Sequence, residues 1–171
     1  MISISEAKPT DFPVIRKIAK ITWPIAYGAI ISKAQLDYML EEFYSDATLN
    51  YNFTHKNHHF LLVKEDSICL GFASYEHHYL GENKTRLHKI YLLPESQRKG
   101  IGKLLLAAVE KLALENNDLI ISLNVNRFNS AYNFYEKLGF EKVGEEDIEL
   151  DFGYLMEDYK LEKKCNLFIL Q

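Results

Sequence analysis

The segment Gln97-Arg-Lys-Gly-Ile-Gly-Lys103 decides how the middle of this chain folds. It follows residues 86–93, which are predicted to form a strand ended by Pro94. It precedes a pattern that predicts an amphipathic helix to about Asn116, with apolar residues on one face: Ile101, Leu104, Leu105, Ala108, Val109 and Leu112. A glycine loop at the start of a helix lets the backbone approach a ligand and presents N–H groups that have no partner within the helix. The segment therefore predicts a phosphate-binding site.

The charge around this loop agrees with that prediction. Between Lys84 and Lys103 there are 6 basic residues and 1 acid, Glu95, although the whole chain has a net charge of −4. The basic residues are Lys84, Arg86, Lys89, Arg98, Lys99 and Lys103. The local excess favours an anionic ligand.

Two common phosphate loops do not fit the segment. A Walker loop requires Ser or Thr after Gly-Lys, whereas Leu104 follows Gly102-Lys103. A dinucleotide fingerprint requires a third glycine at position 105, where Leu105 stands. A tight glycine turn that leads into an ordinary helix remains the alternative.

Length and composition set the wider frame. With 171 residues, 47% of them hydrophobic, the chain is expected to form a single domain over residues 1–171. The negative charge argues against nucleic acid or an anionic membrane as a partner. Cys69 and Cys165 belong to no CxxC pair, and the sequence contains neither a leader pattern nor an apolar run long enough to span a bilayer. We expect reduced thiols and a cytoplasmic location.

The remaining pattern predicts an α/β fold. The first third is mostly helical, with a break expected at Trp23-Pro24 because proline disfavours helical geometry at the preceding residue. Two strands at about 60–63 and 68–75 form a hairpin, and a further strand, a helix and a last strand follow over 119–125, 129–138 and 154–160. This order predicts a mixed central sheet with helices on both faces.

A second motif identifies a family resemblance. The stretch Asn129-Ser-Ala-Tyr-Asn-Phe-Tyr135-Glu-Lys-Leu-Gly-Phe140 resembles the second signature of the GNAT superfamily of N-acetyltransferases, and Gln97–Gly102 resembles the first. The resemblance implies the GNAT (acyl-CoA N-acyltransferase) fold, in which two neighbouring strands of the mixed sheet are splayed. It also implies acetyl-CoA as the co-substrate and direct transfer to an amine.

The resemblance implies roles for individual residues around the co-substrate. Backbone N–H groups of the loop would hold the pyrophosphate, and the strand backbone would pair with the pantetheine arm. Asn129 would contact the arm, and Lys137 either reaches the phosphates or is an exposed helix lysine. The co-substrate set is Ile90, Tyr91, Leu92, Gln97, Arg98, Lys99, Gly100, Ile101, Gly102, Lys103, Asn129, Tyr135 and Lys137.

Two residues are candidates for proton transfer. The tyrosine of the second motif, Tyr135, would protonate the thiolate of the departing coenzyme, as the matching tyrosine does in the family. His88 is the candidate base for the amine, because the neutral imidazole is available near pH 7 and arylalkylamine members of the family carry a histidine here. A structural histidine and an ordered water relay remain open alternatives.

A metal site is not expected. Five further histidines lie at His55, His58, His59, His77 and His78. Neighbouring residues on a strand point to opposite faces, and the sequence shows no third ligand beside them.

A closer resemblance, to bacterial polyamine N-acetyltransferases of the PaiA type, rests on scattered residues. These are Trp23, Tyr27, Leu36–Leu40, Leu87–Tyr91, Leu123–Arg127 and Gly153–Tyr159. It implies spermidine or spermine as the amine. Residues 141–158 contain 8 acids and 1 lysine, which would attract a polycation, although a solvated acidic loop is the alternative.

The acceptor site is expected to be lined by Trp23, Tyr27, Tyr38 and Glu41. Acetyl transfer to a protein, a peptide or an antibiotic amine is the alternative enzyme function. A non-catalytic acetyl-CoA-binding regulator is the alternative of another class, and a homodimer is left open.

Overall fold

A computed structural model describes residues 1–170 of the chain. Seven strands form one mixed sheet in the order β1-β2-β3-β4-β5-β7-β6. The strands are β1 (Ile2–Glu6), β2 (His59–Glu65), β3 (Ile68–Glu76), β4 (Lys84–Leu92), β5 (Ile120–Asn126), β6 (Glu141–Glu149) and β7 (Leu155–Lys164). The helices are α1 (Phe12–Tyr27), α2 (Lys33–Tyr44), α3 (Asp46–His55), α4 (Ile101–Glu115) and α5 (Ala131–Lys137).

The chain divides into two compact units. The first contains Met1–Glu76 and Leu87–Val109, and the second contains His77–Arg86 and the chain from Glu110 onward. Each unit has its own ladder of strands and its own apolar core.

The first unit is built on the antiparallel ladder of β1, β2 and β3. β1 pairs with β2 from Ile2 opposite Glu65, and β2 pairs with β3 in the predicted hairpin. The hairpin turns at Asp66, which has φ 54°. Apolar side chains of α1 and the hairpin are fully buried, among them Phe12, Ile15, Phe60, Leu62 and Phe72. This burial is what holds α1 on the hairpin.

Helices α2 and α3 begin at serine caps. The Oγ of Ser32 accepts a hydrogen bond from the backbone N–H of Gln35 at 3.1 Å, and the Oγ of Ser45 accepts one from Thr48 at 3.2 Å. Each serine satisfies a backbone donor that the first helical turn leaves unpaired. Both helices agree with the sequence pattern.

The predicted break at Trp23-Pro24 is wrong, because α1 continues through Pro24 to Tyr27. Pro24 is exposed, and so is Lys20, whose carbonyl loses its usual helical donor because proline has no N–H. Trp23 and Tyr27 are buried and pack together with ring centroids 4.7 Å apart. Their burial on the other face of the helix offsets the lost hydrogen bond. The helix ends at Tyr27, and the Gly28 N–H donates to the Pro24 carbonyl at 2.9 Å.

The second unit has the start of β4, with β5, β7 and β6 in spatial order. Lys84–Arg86 pair in parallel with Ile120–Ser122, and β7 pairs antiparallel with both β5 and β6. The mixture of parallel and antiparallel pairs confirms the mixed sheet. The core includes Ile121, Leu123 and Leu161.

Strand β6 was absent from the sequence prediction. Residues 141–149 are almost all exposed, so their pattern lacks the apolar alternation by which a half-buried strand is recognised. β6 lies at the end of the strand order, where charged side chains discourage pairing with another chain. The interpretation of these residues as a solvated loop is therefore wrong, although their exposure was anticipated.

Candidate active site

The loop before α4 has the backbone conformation expected of a ligand-binding turn. Arg98 has φ 63° and Gly100 has φ 75°, so two residues of the loop are left-handed. No heavy atom lies within 4 Å of the position that a Cβ of Gly100 would occupy, whereas Gly102 is buried in the first turn of α4. The Leu104 N–H donates to the Gly100 carbonyl at 3.1 Å, so the N–H groups before it have no acceptor within the helix.

The cations of the loop face solvent. Arg98, Lys99 and Lys103 are all exposed, and so is Gln97. The Ser96 side chain is buried, and its Oγ has no hydrogen-bond partner within residues 1–170. Basic side chains and helix N–H groups together can hold a phosphate at this point of the first unit.

The last part of β4 lies against β3. The Leu93 N–H donates to the Leu70 carbonyl at 2.8 Å, and Ile90, Tyr91 and Leu92 are partly exposed. A Cβ added at Gly71 would lie 2.6 Å from the Tyr91 carbonyl oxygen. The glycine thus permits a close approach of the two strands that no other residue would allow.

The aromatic residues predicted for the acceptor site are largely packing residues. Trp23 is 4% exposed and Tyr27 8%, and the Tyr27 hydroxyl is 2.9 Å from the Tyr91 hydroxyl. The Trp23 indole N–H donates to the Tyr44 hydroxyl at 3.2 Å. Tyr38 is partly exposed and Glu41 fully exposed on α2.

Helix α5 carries the tyrosine of the second motif in the second unit. Tyr135 is 7% exposed and packs edge-on against Phe134 and Phe140, with centroids 5.4 and 5.6 Å away. The Oδ1 of Asn129 accepts a hydrogen bond from the Ala131 N–H at 2.9 Å, which leaves its NH₂ group as the donor for a ligand. Lys137 is exposed in the last turn of α5.

His88 has a carboxylate partner that the sequence did not reveal. Its Nε2 lies 3.0 Å from Oε1 of Glu76, and its ring stacks on His58 with centroids 4.0 Å apart. The three side chains come from the residue before β2, the end of β3 and the middle of β4, all within the first unit. The register of β2 against β3 and the position of β4 beside β3 bring them together, and single-sequence patterns do not specify strand register.

The expectation that no third ligand-type residue accompanies the histidines is wrong at His58. One ligand atom from each of His58, Glu76 and His88 lies within 4.8 Å of the other two. His77 and His78 lie elsewhere, in the second unit, where Asp118 accepts hydrogen bonds from the His78 N–H and the Thr85 hydroxyl.

The acids of β6 divide between two faces of the strand. Arg127 pairs with Glu145 and Asp147, and Lys142 Nζ lies 2.6 Å from Glu145. On the other face Glu146 stands opposite Asp158 of β7. The amide of Asn124 donates to Glu146 at 3.1 Å and to Asp158 at 3.4 Å.

The two cysteines have unfavourable surroundings for a thiolate. Both are free, and burial raises the pKa of Cys69 and raises the pKa of Cys165 to about 12. A thiol in these states is a poor nucleophile, which argues against transfer through an acetyl-cysteine.

Comparison with known proteins identifies the class of enzyme. Residues 29–161 match the family model described as the acetyltransferase (GNAT) domain. The chain belongs to the GNAT family and is an N-acetyltransferase with the fold of the acyl-CoA N-acyltransferases.

Two relatives and one solved structure are similar to this chain over most of its length. The chain is 30% identical over 168 residues to the spermidine N(1)-acetyltransferase of Thermoplasma acidophilum. The aligned residues cover 95% of this chain and 97% of the relative. It is 29% identical over 156 residues to YuaI of Bacillus subtilis, an uncharacterised N-acetyltransferase, with 88% and 86% covered. The crystal structure of the PaiA N-acetyltransferase of T. acidophilum in complex with coenzyme A matches with a TM-score of 0.78, at 29% identity, over 96% of this chain and 99% of that one.

Within residues 1–170, no helix combines the length and the apolar character that crossing a bilayer requires.

Proposed function

We propose that this protein transfers the acetyl group of acetyl-CoA to a primary amine, and that the amine is a polyamine such as spermidine or spermine. The observation that carries the donor is the loop before α4, which offers open space beside Gly100, the helix N–H groups and three exposed cations. A pyrophosphate needs such donors and such charge. The solved structure of the PaiA relative in complex with coenzyme A supports the same donor.

The proposed reaction is a direct transfer. The amine nitrogen attacks the thioester carbonyl, a C–N bond forms and the C–S bond breaks. A backbone N–H of the Ile90–Leu92 segment polarises the carbonyl, and the Tyr135 hydroxyl gives a proton to the departing sulfur. Either His88 or a water relay removes the proton of the amine. Neither cysteine takes part.

Two observations support a polyamine as the acceptor. The relative that is 30% identical is named for spermidine. Residues 141–158 carry 8 acids and 1 lysine, and most of these acids are exposed, so the segment attracts a cation that carries several charges. Among the proposed acceptor residues, Glu41 of α2 is exposed and Tyr38 is partly exposed, while Trp23 and Tyr27 support them from the core.

Release of coenzyme A tests the proposal. Purified protein is mixed with acetyl-CoA and a panel of amines that contains spermidine, spermine, arylalkylamines, an aminoglycoside and a peptide. We expect release that depends on spermidine and saturates with it, above a control without amine that corrects for the thiols. Release with the peptide or the aminoglycoside alone would contradict the polyamine proposal. Coenzyme binding without release to any amine would contradict the enzymatic proposal and favour a regulator.

A further inference from the structure

Glu76 lies beside two stacked imidazoles of the first unit. Its Oε1 lies 3.0 Å from Nε2 of His88 and 3.5 Å from Nε2 of His58. The two rings are nearly parallel, with an interplanar angle of 17°. His58 is 7% exposed, and its Nδ1 is buried with no hydrogen-bond partner within residues 1–170.

The Glu76 carboxylate makes a good hydrogen bond to only one of these two histidines. At 3.0 Å the contact with His88 is a hydrogen bond, whereas 3.5 Å is too long for a good one to His58. Burial, together with the charges of Lys89, Lys56 and His59, lowers the pKa of His58 to about 4. His58 is therefore neutral near pH 7, and it does not compete for the charge of Glu76.

The hydrogen bond also selects a tautomer. An ionised carboxylate only accepts hydrogen bonds, so His88 carries its hydrogen on Nε2. The lone pair of the neutral ring is then on Nδ1, and that nitrogen is the one that can take a proton.

We infer that Glu76 is the positioning residue of the His88 base, and that Glu76 and His88 share the proton while the His58 ring packs on the ring of His88. Glu76 holds the ring in the tautomer that presents Nδ1 and stabilises the imidazolium that forms when the amine loses its proton. The neutral ring of His58 stacks on the ring of His88 and limits its rotation. The inference rests on the proposed function, in which His88 is one of two candidates for the base.

The same three residue types also occur in metal sites, but the stacking favours the proton-sharing arrangement. A histidine ligand binds a metal ion along its lone pair, in the plane of its ring, at about 2.0 Å. Two stacked, nearly parallel rings direct their lone pairs along separate planes, so both cannot meet one ion without rotation. Lys89, which contributes positive charge at His58, also opposes a divalent cation here.

The experiment compares Glu76→Gln with Glu65→Gln, an exposed glutamate at the end of β2. Imidazole titrations are followed by NMR in the protein without substrate, and kcat/KM for the amine is measured from pH 5 to 9. In Glu76→Gln we expect the His88 midpoint to move down by about one pH unit, because a stabilising negative charge is lost. The acid limb of kcat/KM should move with it, and kcat should fall about 10- to 100-fold. Glu65→Gln should match the wild type in all three quantities.

Three results would overturn the inference. One is a His88 midpoint that Glu76→Gln leaves in place. Another is a shifted midpoint without any change in the acid limb, which would mean that Glu76 acts on a histidine that is not the base. A third is stoichiometric Zn²⁺ binding in calorimetry that both His58→Gln and Glu76→Gln abolish, since the cluster would then be a metal site.

Two further points keep the test decisive. The NMR titration needs no acceptor, so a failure of the polyamine proposal leaves that readout intact. Glu76→Asp keeps the charge but shortens the side chain, and we expect it to retain part of the shift that Glu76→Gln loses. If Glu76→Gln is too unstable to measure, the Glu76→Asp titration decides: a His88 midpoint equal to that of the wild type, with an unchanged acid limb, counts against the inference.

Discussion

Gly71 of β3 lies so close to β4 that an added Cβ would stand 2.6 Å from the carbonyl oxygen of Tyr91. The same Cβ would be 2.4 Å from Cδ2 of Leu92, a side-chain atom that can move. The carbonyl oxygen belongs to the backbone and moves only with the strand. Gly71 therefore permits the close position of the strand segment that we propose holds the pantetheine arm.

Gly71→Ala should displace this segment. We expect a loss of about 2 kcal/mol in the free energy of unfolding, typical of overpacking, and a fall in Tm of about 4–8 °C. The KM for acetyl-CoA should rise about tenfold, because the strand backbone no longer matches its ligand. Thermal unfolding and steady-state kinetics measure the two effects.

Gly144→Ala is the matched control. A Cβ there would be 3.7 Å from Lys160 Cδ, which is ordinary contact. We expect its Tm and KM to stay close to the wild type. An unchanged KM in Gly71→Ala would show that the Tyr91 segment does not set the affinity for acetyl-CoA.

Structural features that depend on neighbouring residues in the sequence could be predicted, whereas features that depend on distant contacts could not. The loop at Gln97–Lys103 follows from local glycine and helix patterns, and α4 begins at Ile101, within it. The prediction of a helix break at Pro24 is wrong because the burial of Trp23 and Tyr27, a tertiary effect, outweighs the local preference of proline against a helix.

Contacts across strands could not be predicted in the same way. Glu76 and His88 are 12 residues apart, and only the pairing of their strands makes them neighbours. Strand β6 was not predicted because a strand exposed on both faces lacks the alternation of apolar and polar residues. The motif around Tyr135 did mark a short helix, α5, which lies where the spacing placed it.

Tyr135→Phe should separate binding from chemistry. The ring packs against Phe134 and Phe140, and phenylalanine keeps that packing while it removes the hydroxyl. We expect kcat to fall about 10²- to 10⁴-fold, the range for loss of a general acid, while the Kd for coenzyme A stays within about twofold. Calorimetry and initial rates measure these quantities.

Tyr132→Phe, on the same helix, is its control. Tyr132 packs against Tyr159 at 5.3 Å, and we expect the rate of this variant to match the wild type. Full activity in Tyr135→Phe would remove Tyr135 from the proposed chemistry.

The exposed acids of β6 should matter only for a polycation. We expect the triple variant Glu141→Gln, Glu146→Gln and Glu149→Gln to raise the KM for spermidine about 3- to 10-fold at low salt. The effect should shrink at high salt because mobile ions screen exposed charges. The KM for a monoamine such as butylamine should change less, since it carries a single charge.

A triple variant with the same change of charge elsewhere is the control for this prediction. Glu42→Gln, Glu65→Gln and Glu115→Gln remove three exposed acids from α2, β2 and α4. We expect the spermidine KM of this control to be close to that of the wild type. Equal effects of the two triple variants would assign the attraction to net charge and not to β6.

Asp158 should make the protein less stable as the pH rises. Burial raises the pKa of Asp158 to about 6 from its ordinary value of 3.8, and the neighbouring Glu146 contributes in the same direction. The folded state therefore binds the proton more tightly than the unfolded state. Between about pH 4 and pH 6 the stability contributed by this proton is lost, and above pH 6 the loss is complete.

Asp158→Asn keeps the shape of the side chain and removes this titration. We expect the free energy of unfolding of the variant to exceed that of the wild type by an amount that grows between pH 4 and pH 6 and persists at pH 8. For a shift of two pKa units the difference reaches up to about 3 kcal/mol. Urea unfolding at pH 4, 5, 6, 7 and 8 measures the difference. Glu149→Gln, which alters an exposed acid on the adjacent strand, should show no such dependence. A difference between Asp158→Asn and the wild type that is constant over this range would mean that Asp158 is not protonated in the folded protein at pH 5.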